Sequence, residues 1–567
     1  MRSSFFEFHV ASTGLFTARA GLQVVSHNIS NAATPGFSRQ FVEQRASQPL
    51  ATWNSRGMIG TGSEVFGIGQ IRSFYLDQKF WTERGVLGQH TATTQLLTGV
   101  EIVFNEMSGT GIASNFDIFF ARMQDLATNA PDATFRNNVV MTADSLARFV
   151  NTTAQSLRRQ QVNANTEVSM VVSTINNLGL QIATLNERIS KFEMDGSRAN
   201  DLRDQRALLI DELSQFVNVE VIEREHNDDF AAGMFPNPQD RGRSDQRLSI
   251  RINGYEFVNH WDVNTLQTVP RQQGNERNEM DAPGLYDIRF ANGVWFNIYS
   301  PTLQGQLRGV IDVRDGNNLS TVLPPTVPPP AQSPFRQPNQ FRGVPFYLEQ
   351  LNHMVRTFAR AMNEALDHQG DQIPGMTGHV NGFSGNNPNR SDLWFFTYTD
   401  AAGNEIQFDP TLGVGRDAAG NLIPHDFSGM NAFNFRVNTM LRNDPYLLAT
   451  ADVAFNAPGG GESNNNIILG FASLAEFSSL FREGSIGNFV NGLASQLGID
   501  LRQSANFAAN YHDVTQSIDN QRMSVSGVSL NEEILAMIQF QQQFTAAARL
   551  MSVINEVYDN LINRMGL

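Results

Sequence analysis

A metal centre or a catalytic acid–base pair needs side chains spaced so that they converge, and such spacing is scarce in this sequence. Its ten histidines stand at 9, 27, 90, 226, 260, 353, 368, 379, 425 and 512. None belongs to a His-Glu-x-x-His pattern, which would put two imidazoles on one helical face. His368-Gln-Gly-Asp371 and Glu223-Arg-Glu-His226 lack a third ligand at an informative distance and read as solvated loops. Asp312, Asp315 and Gly316 lack the ladder of oxygen ligands of a calcium loop. No phosphate-binding glycine loop, nucleophile elbow or dinucleotide fingerprint is present. Carboxylate pairs suited to glycoside hydrolysis are available, but spacing selects none of them. Without a cysteine there is no disulfide, thiolate ligand or thiol nucleophile. The expectation is therefore no catalytic residue, no cofactor and no metal, hence no enzyme.

Charge narrows the partners. The chain carries a net −15, and Lys79 and Lys191 are its only lysines. The arginines are scattered, so there is no basic stripe for nucleic acid or an anionic membrane. The acidic balance favours solubility. Glu7 and His9 interrupt the first apolar run, which is unlike the continuous core of roughly 7–15 residues in a secretory signal. No window approaches the roughly 18 apolar residues of a membrane span, so membrane insertion is not expected. At roughly 150 residues per domain, the length suggests about four domains.

Helical periodicity dominates both ends. Phe8, Ala11, Leu15, Ala18, Leu22, Val25, Ile29 and Ala32 recur at alternating steps of three and four, a heptad stripe. Thr34-Pro35-Gly36 ends it, because Pro35 pushes Thr34 out of helical geometry and Gly36 accepts positive φ. Met537, Phe540, Phe544, Ala547, Met551, Ile554, Tyr558, Leu561 and Met565 repeat the pattern at the far end, after a helix start at Ser529. A third stripe runs from Val140 to Phe192 and is broken only by Gln161. One helix over it would be ~80 Å long. A returning helix follows Asp195-Gly196-Ser197, so this part reads as a helical hairpin forming a rod.

The middle alternates apolar and polar residues around Asn253-Gly254, a strong hairpin signal. Asp400-Ala-Ala-Gly-Asn404 and Asp417-Ala-Ala-Gly-Asn421 read as two more hairpin turns. Residues 322–345 are Pro-rich and expected to be extended and mobile. Val344 to His368 is amphipathic, with Leu348, Leu351, Val355, Phe358 and Met362 on one face. The expected fold is multidomain α plus β, with paired N- and C-terminal coiled-coil helices, a long helical-hairpin rod domain and inserted mostly-β outer domains. The divisions are 1–40 (axial helix and turn), 41–218 (rod, first part), 219–315 (β domain) and 316–370 (Pro-rich insertion and helix). They continue with 371–445 (β-hairpin-rich outer domain), 446–525 (rod, returning part) and 526–567 (C-terminal axial helix).

The stretch Asn28-Ile-Ser-Asn-Ala-Ala-Thr-Pro-Gly-Phe-Ser-Arg-Gln40 resembles the signature of the flagellar axial proteins of rod, hook and junction. In that family a terminal helix carries two Asn residues three apart and ends in a Thr-Pro-Gly-aromatic turn. The matching positions are Asn28, Asn31, Thr34, Pro35, Gly36 and Phe37, with Phe where Tyr is commoner. Ser38-Arg39-Gln40 is similar to the hook-associated branch, as are Ala199-Asn-Asp-Leu-Arg-Asp-Gln-Arg206 and Ser526-Gly-Val-Ser-Leu-Asn-Glu-Glu533.

The resemblance implies a structural subunit at the junction between hook and filament, exported by the flagellar type III pathway and residing outside the cell. It implies ring-like helical self-assembly, contacts with the hook protein and a second junction protein, and a cytoplasmic chaperone before export. Asn28 and Asn31 then read either as inter-subunit hydrogen-bonding groups or as simple helix-end caps. The axial seam would comprise Leu15, Leu22, Val25, Ile29, Met537, Phe540, Phe544, Met551, Ile554, Tyr558 and Leu561. Two rivals remain: a distal rod or hook subunit, and a secreted adhesin or glycan-active protein with flagellar-type export termini.

Overall fold

The structure, a computed structural model, describes residues 6–51, 58–104, 109–194, 197–226, 245–325, 331–384, 389–409, 414–416, 422–423 and 427–560. It is 56% helical with several small antiparallel sheets. The first helix, α1 (Phe6–Asn31), is followed by β1 (Gln40–Ala46), β2 (Leu50–Ala51), β3 (Met58–Ile59) and β4 (Ser63–Gln70). β1 pairs with β4, and β2 with β3, so a ribbon runs back along α1, where Thr17 and Ser63 share hydrogen bonds. A helical rod was expected from residue 41. Val42, Val65, Phe66 and Ile68 do favour strand, but a two-stranded ribbon interrupted by Gly67 and Gly69 leaves a short, weak alternation in the sequence.

Four helices follow: α2 (Phe74–Phe104), α3 (Ile112–Thr128), α4 (Ala133–Glu193) and α5 (Asn200–Phe216). The Asp132 carboxylate caps α4 by accepting from Thr134 N at 2.7 Å. From there α4 runs unbroken for 61 residues, about 90 Å at 1.5 Å per residue. Gly179 lies inside it and makes room for the sheet: a Cβ there would lie 2.5 Å from the Phe257 ring. An 18-residue window of α4 reaches a mean hydropathy of 1.3, yet half of it is buried inside the protein. The expected turn at Asp195-Gly196 lies outside the described residues, and α5 packs back along α4.

β5 (Val219–His226), β6 (Asp245–Ile252), β7 (Tyr255–Asn259) and β8 (Asp262–Val263) form one antiparallel sheet in chain order. Glu223 to His226 thus ends a strand rather than a solvated loop. Asn253 and Gly254 take φ of 51° and 81°, the two positive values that a tight hairpin turn requires. β9 (Leu266–Pro270) pairs with β10 (Tyr286–Phe290). The expected β domain is then interrupted by a helix, α6 (Gln306–Asp315). Its β-branched Val310, Ile311 and Val313 are fully buried, so tertiary packing overrides their strand preference. Gly309 lets α6 approach α2, since a Cβ there would lie 2.3 Å from Gln89 O.

The Pro-rich segment is less loose than its composition suggests. Gln332, Ser333 and Asn339 are buried, and Asn339 Nδ2 donates to Asp312 at 2.9 Å. Residues 326–330 are outside the described set. α7 (Val344–Glu364) buries all five apolar residues expected on one face. Beyond it the regular strands are short. β11 (Phe396–Tyr398) pairs with β15 (Phe435–Val437), and β12 (Gln407–Asp409), β13 (Val414–Arg416) and β14 (Leu422–Ile423) form a small sheet. Asp400 to Asn404 makes the first expected hairpin turn, with Asp400 accepting from Ala402 N and Asn404 N. The second, 417–421, lies outside the described residues. The chain closes with α8 (Thr439–Asn443), α9 (Asn466–Ser473), α10 (Ile486–Ser526) and α11 (Leu530–Asp559). α10 packs along α2. Gly487, Gly492 and Gly498 sit inside it with open space where a Cβ would point.

Two apolar cores share α4. One gathers its first half with α3, α7, α9 and the short strands, and the other gathers its second half with α5, α6 and the sheet of β5 to β8. Gln161, the polar break in the long stripe, is fully buried between them. It donates to Asp281 at 2.7 Å and to Arg314 O, and accepts from Ala282 N. The Asp281 and Asp315 carboxylates lie in a buried cluster with Arg271, Arg277 and Arg314. Burial pushes Arg277 down to about 9, and Arg271 beside it pushes in the same direction.

In the first core, His379 joins three segments. One ring nitrogen lies 2.8 Å from Leu393 O, and the other accepts from Ala449 N at 3.1 Å. Burial lowers its pKa to about 4, so the folded protein holds it neutral. Its contribution to stability is complete above pH ~6.5, where the unfolded chain is also neutral, and is lost as pH falls toward 4. The urea midpoint should therefore drop between pH 7 and 4.5, by the equivalent of about 2 kcal/mol from this group. His379→Gln should flatten that part of the slope. A slope unaltered in the variant would show that His379 does not carry it.

Candidate functional site

The signature turn is built as its residue types require. Thr34 N donates to Asn31 O (2.9 Å) and Phe37 N to Thr34 O (3.2 Å), while Gly36 takes φ of 77°. Pro at the second and Gly at the third position of such a turn supply the fixed and the positive φ it needs. Asn31 acts locally. It donates to His27 O at 3.0 Å and accepts from Thr34 Oγ1 at 3.2 Å. Phe37 meets His27 edge-on at 5.4 Å. Thr34, Pro35 and Gly36 are exposed.

Asn28 does something else. It is buried, and its Nδ2 donates to Gln40 O (2.8 Å) and Glu533 Oε2 (3.0 Å) while its Oδ1 accepts from Gln40 N (3.1 Å). Glu533, only 1% exposed, takes its second bond from Arg39 Nε at 2.6 Å. Arg39 also reaches Glu532, and its backbone N donates to Ser526 O at 2.8 Å. Asn28 is thus neither an end cap nor, within this chain, a surface group. It clamps the first helix, the strand after the turn and the last helix together.

The other two signature segments converge on the same point. Asp204 of α5 accepts from both Ser38 N and Ser38 Oγ at 2.8 Å, and Asp201 accepts from Gln40 Nε2 at 2.7 Å. Arg72 donates to Asp77 at 2.6 Å and touches Asp204. Arg522 of α10 pairs with Asp77 and Asp211, both at 2.9 Å, and lies over the Phe80 ring. Trp81 Nε1 donates to Asp211 at 2.6 Å. Burial raises the pKa values of Asp204 and Asp211, against the lowering pull of Ser38 on the first and of Arg522 and Trp81 on the second. Burial lowers Arg72, but Asp77, Asp211 and Asp204 together outweigh it and the net shift is upward. Beside the turn opens a cleft of about 690 Å³ whose lining includes Ala33, Pro35, Leu208, Glu212, Asp519 and Met523.

α1 and α11 pack against each other. Of the expected seam, Val25 and Ile554 are buried, and Leu15, Leu22, Ile29, Met537, Phe540, Phe544, Met551 and Tyr558 are half-buried. Leu561 lies outside the described residues. The closest approach runs along a different row of α1: a Cβ on Gly14 would lie 3.9 Å from Ala547 Cβ, and one on Gly21 would lie 2.5 Å from the Phe540 ring. Counting apolar residues overlooks a glycine row, because its contribution is the absence of a side chain. The sequence likewise does not mark Glu533, Asp204, Asp211, Arg39, Arg72 and Arg522 as site residues. Their only trace in the sequence is membership of, or nearness to, the three matching segments, since charge spacing alone does not reveal which carboxylates are buried. The candidate calcium carboxylates are otherwise engaged: Asp315 accepts from Arg271, Arg314 and Tyr299, and Asp312 from Arg308 and Asn339.

Residues 97–379 match the family of the flagellar hook-associated protein FlgK helical domain, and residues 519–565 match that of the flagellar basal body rod FlgEFG protein C-terminal. The chain is 26% identical to flagellar hook-associated protein 1 of Bacillus subtilis, over all of this chain and 99% of that one. It is 25% identical to flagellar hook-associated protein 1 of Escherichia coli over 98% of each. A solved structure, that of the flagellar hook junction protein FlgK from Burkholderia pseudomallei, aligns with a TM-score of 0.51 at 14% identity, covering 79% of this chain and all of that one. That likeness shows a shared fold. With both termini folded onto one stem and relatives matched from end to end, the chain belongs to the flagellar hook-associated protein 1 family and is a structural component of the bacterial flagellum.

Proposed function

We propose that this subunit forms the junction between hook and filament by self-assembly through α1 and α11, in a ring-like helical layer. The observation that carries this reading is the outward face of α11. Only Glu533 and Ile554 of its 30 residues are buried, while Leu530, Ile534, Leu535, Ile538, Leu550, Val553 and Val557 are exposed. Single scattered apolar residues need no explanation, but seven exposed on one helix call for a partner. Copies of the same chain supply it in a closed or helical array, with the paired helices as a coiled-coil inner layer and the inserted domains outside. The relatives' names, hook-associated and hook junction, support contact with hook protein on one side; in this reading a second junction protein meets the other. The same exposed residues would need covering before export, which fits a cytoplasmic chaperone on the C-terminal region and type III secretion to the cell exterior. The role is structural, with no catalytic step.

The test replaces Ile534 and Ile538 together with Asp. Both are exposed in the single chain, so its own stability should change by no more than about 0.5 kcal/mol. Incorporation into flagella, followed by immunogold labelling and motility, should be lost. Normal incorporation of the folded variant would overturn the reading.

Assembly should also steady the α1–α11 pair, which is formed in the free chain but opens readily. Ala11 and Ala18 bury little area each, and isolated helix pairs are marginal without further packing. In the free chain, amides across 8–32 and 537–560 should exchange with solvent much faster than those of α4, and slow down once the chain is in flagella. Protection of the free termini equal to that of α4 would show that they need no neighbour.

A further inference from the structure

We infer that Asn28, Glu533 and Arg39 form a register lock that allows α1 and α11 only one alignment. The contacts between the two helices fall in heptad steps on both: Gly14 opposite Ala547, Gly21 opposite Phe540, and Asn28 opposite Glu533. The order is antiparallel. The apolar stripes on either side repeat every seven residues, so sliding by one heptad keeps apolar residues facing apolar residues. Hydrophobic burial has no direction and does not choose among these alignments.

The polar layer does choose. If α11 slides so that Glu533 faces Gly21, the buried carboxylate leaves both Asn28 Nδ2 and Arg39 Nε, and no donor replaces them. If it slides the other way, Phe540 arrives opposite Asn28, whose buried amide keeps its bonds to Gln40 but has its second N–H left facing a ring. A buried polar group without a partner costs far more than a satisfied one gains. A single polar layer in an apolar coiled coil fixes register for the same reason. The Phe540 ring in the notch at Gly21 adds a steric preference, but Gly14 offers an equal notch one heptad away, so the notch alone leaves two alignments open. Arg39 ties the lock to the turn through its backbone bond to Ser526 O. The alignment of the helix pair is thereby carried to the stem.

The chain lacks cysteine, which gives a clean background for cross-linking. Gly14→Cys with Ala547→Cys reports the native alignment, because the 3.9 Å between Cβ positions falls in the range of about 3.5–4.5 Å for a disulfide. Gly14→Cys with Phe540→Cys, or with Ile554→Cys, reports a slip of one heptad either way. In the full-length free chain under mild oxidation, the native pair should form at least about tenfold faster than either slipped pair. Asn28→Leu together with Glu533→Leu keeps the layer apolar and the helices paired, and should bring that ratio below about threefold. If the leucine variant loses helix by circular dichroism, Asn28→Ala with Glu533→Ala takes its place with the same expectation. A folded variant that keeps the parent's ratio would overturn the lock, as would a parent that cross-links equally at 547 and 554. Because the measurement uses the free chain, its outcome is independent of whether the junction reading holds.

Discussion

Three buried carboxylates hold both ends of this chain to its stem, and most of what the molecule does follows from them. Asp204, Asp211 and Glu533 are each withdrawn from water, at a cost of several kcal/mol per ion unless paired and hydrogen-bonded. Each is satisfied by groups far away in sequence. Asp204 takes two bonds from Ser38, Asp211 is held by Trp81 and Arg522, and Glu533 by Asn28 and Arg39. Removing a partner leaves a charge stranded, so the arrangement is intolerant of being half-made. The turn at Pro35 and Gly36 delivers Ser38 to Asp204 and Arg39 to Glu533. Its conformation is therefore set as much by the polar contacts behind it as by its own residues.

The stem that carries this knot is organised by a second compromise. One helix of 61 residues serves two apolar cores, and the change from one to the other is made at Gln161. A glutamine costs little to bury when both ends of its amide are used, and here Asp281, Arg314 O and Ala282 N use them. The neighbouring cluster of Arg271, Arg277, Arg314, Asp287 and Asp315 would be expensive as isolated ions. As a network it fastens the β9–β10 hairpin, α6 and α4 to one another, a directional fit that two apolar cores alone would not provide.

How much of this was legible in the sequence depended on whether the signal was local. The α4 stripe, the Asn253-Gly254 turn and the amphipathic face of α7 were read directly, because period and turn chemistry are short-range properties. Gln161 could be picked out as the one polar break, though not its role between two cores. The β1–β4 ribbon was missed because its two strands are brief and half exposed. The helix α6 was missed because Val310, Ile311 and Val313 favour strand until α2 and α4 enclose them. At the site, the residues of the turn were identified through a family resemblance, while the buried acids that fix it were not. Which carboxylate loses its water depends on contacts hundreds of residues away, as between Asn28 and Glu533, and no window on the sequence contains both.

The division of labour between apolar and polar contacts has a consequence for the proposed assembly. The apolar outward face of α11 can supply adhesion but little geometry, since dispersion and hydrophobic burial tolerate sliding and rotation. A junction must do the opposite and set one alignment between neighbours. If the alignment of α1 with α11 is fixed inside each subunit by a polar layer, the apolar face is presented at one height and one angle relative to the stem. Neighbours then meet a rigid template, and the non-directional contact becomes specific. The net charge of −15 acts in the same direction, because like-charged chains repel one another in solution and only a contact that buries enough apolar surface overcomes the repulsion. Strength, register and restraint are thus carried by different residues, and each can be altered without abolishing the other two.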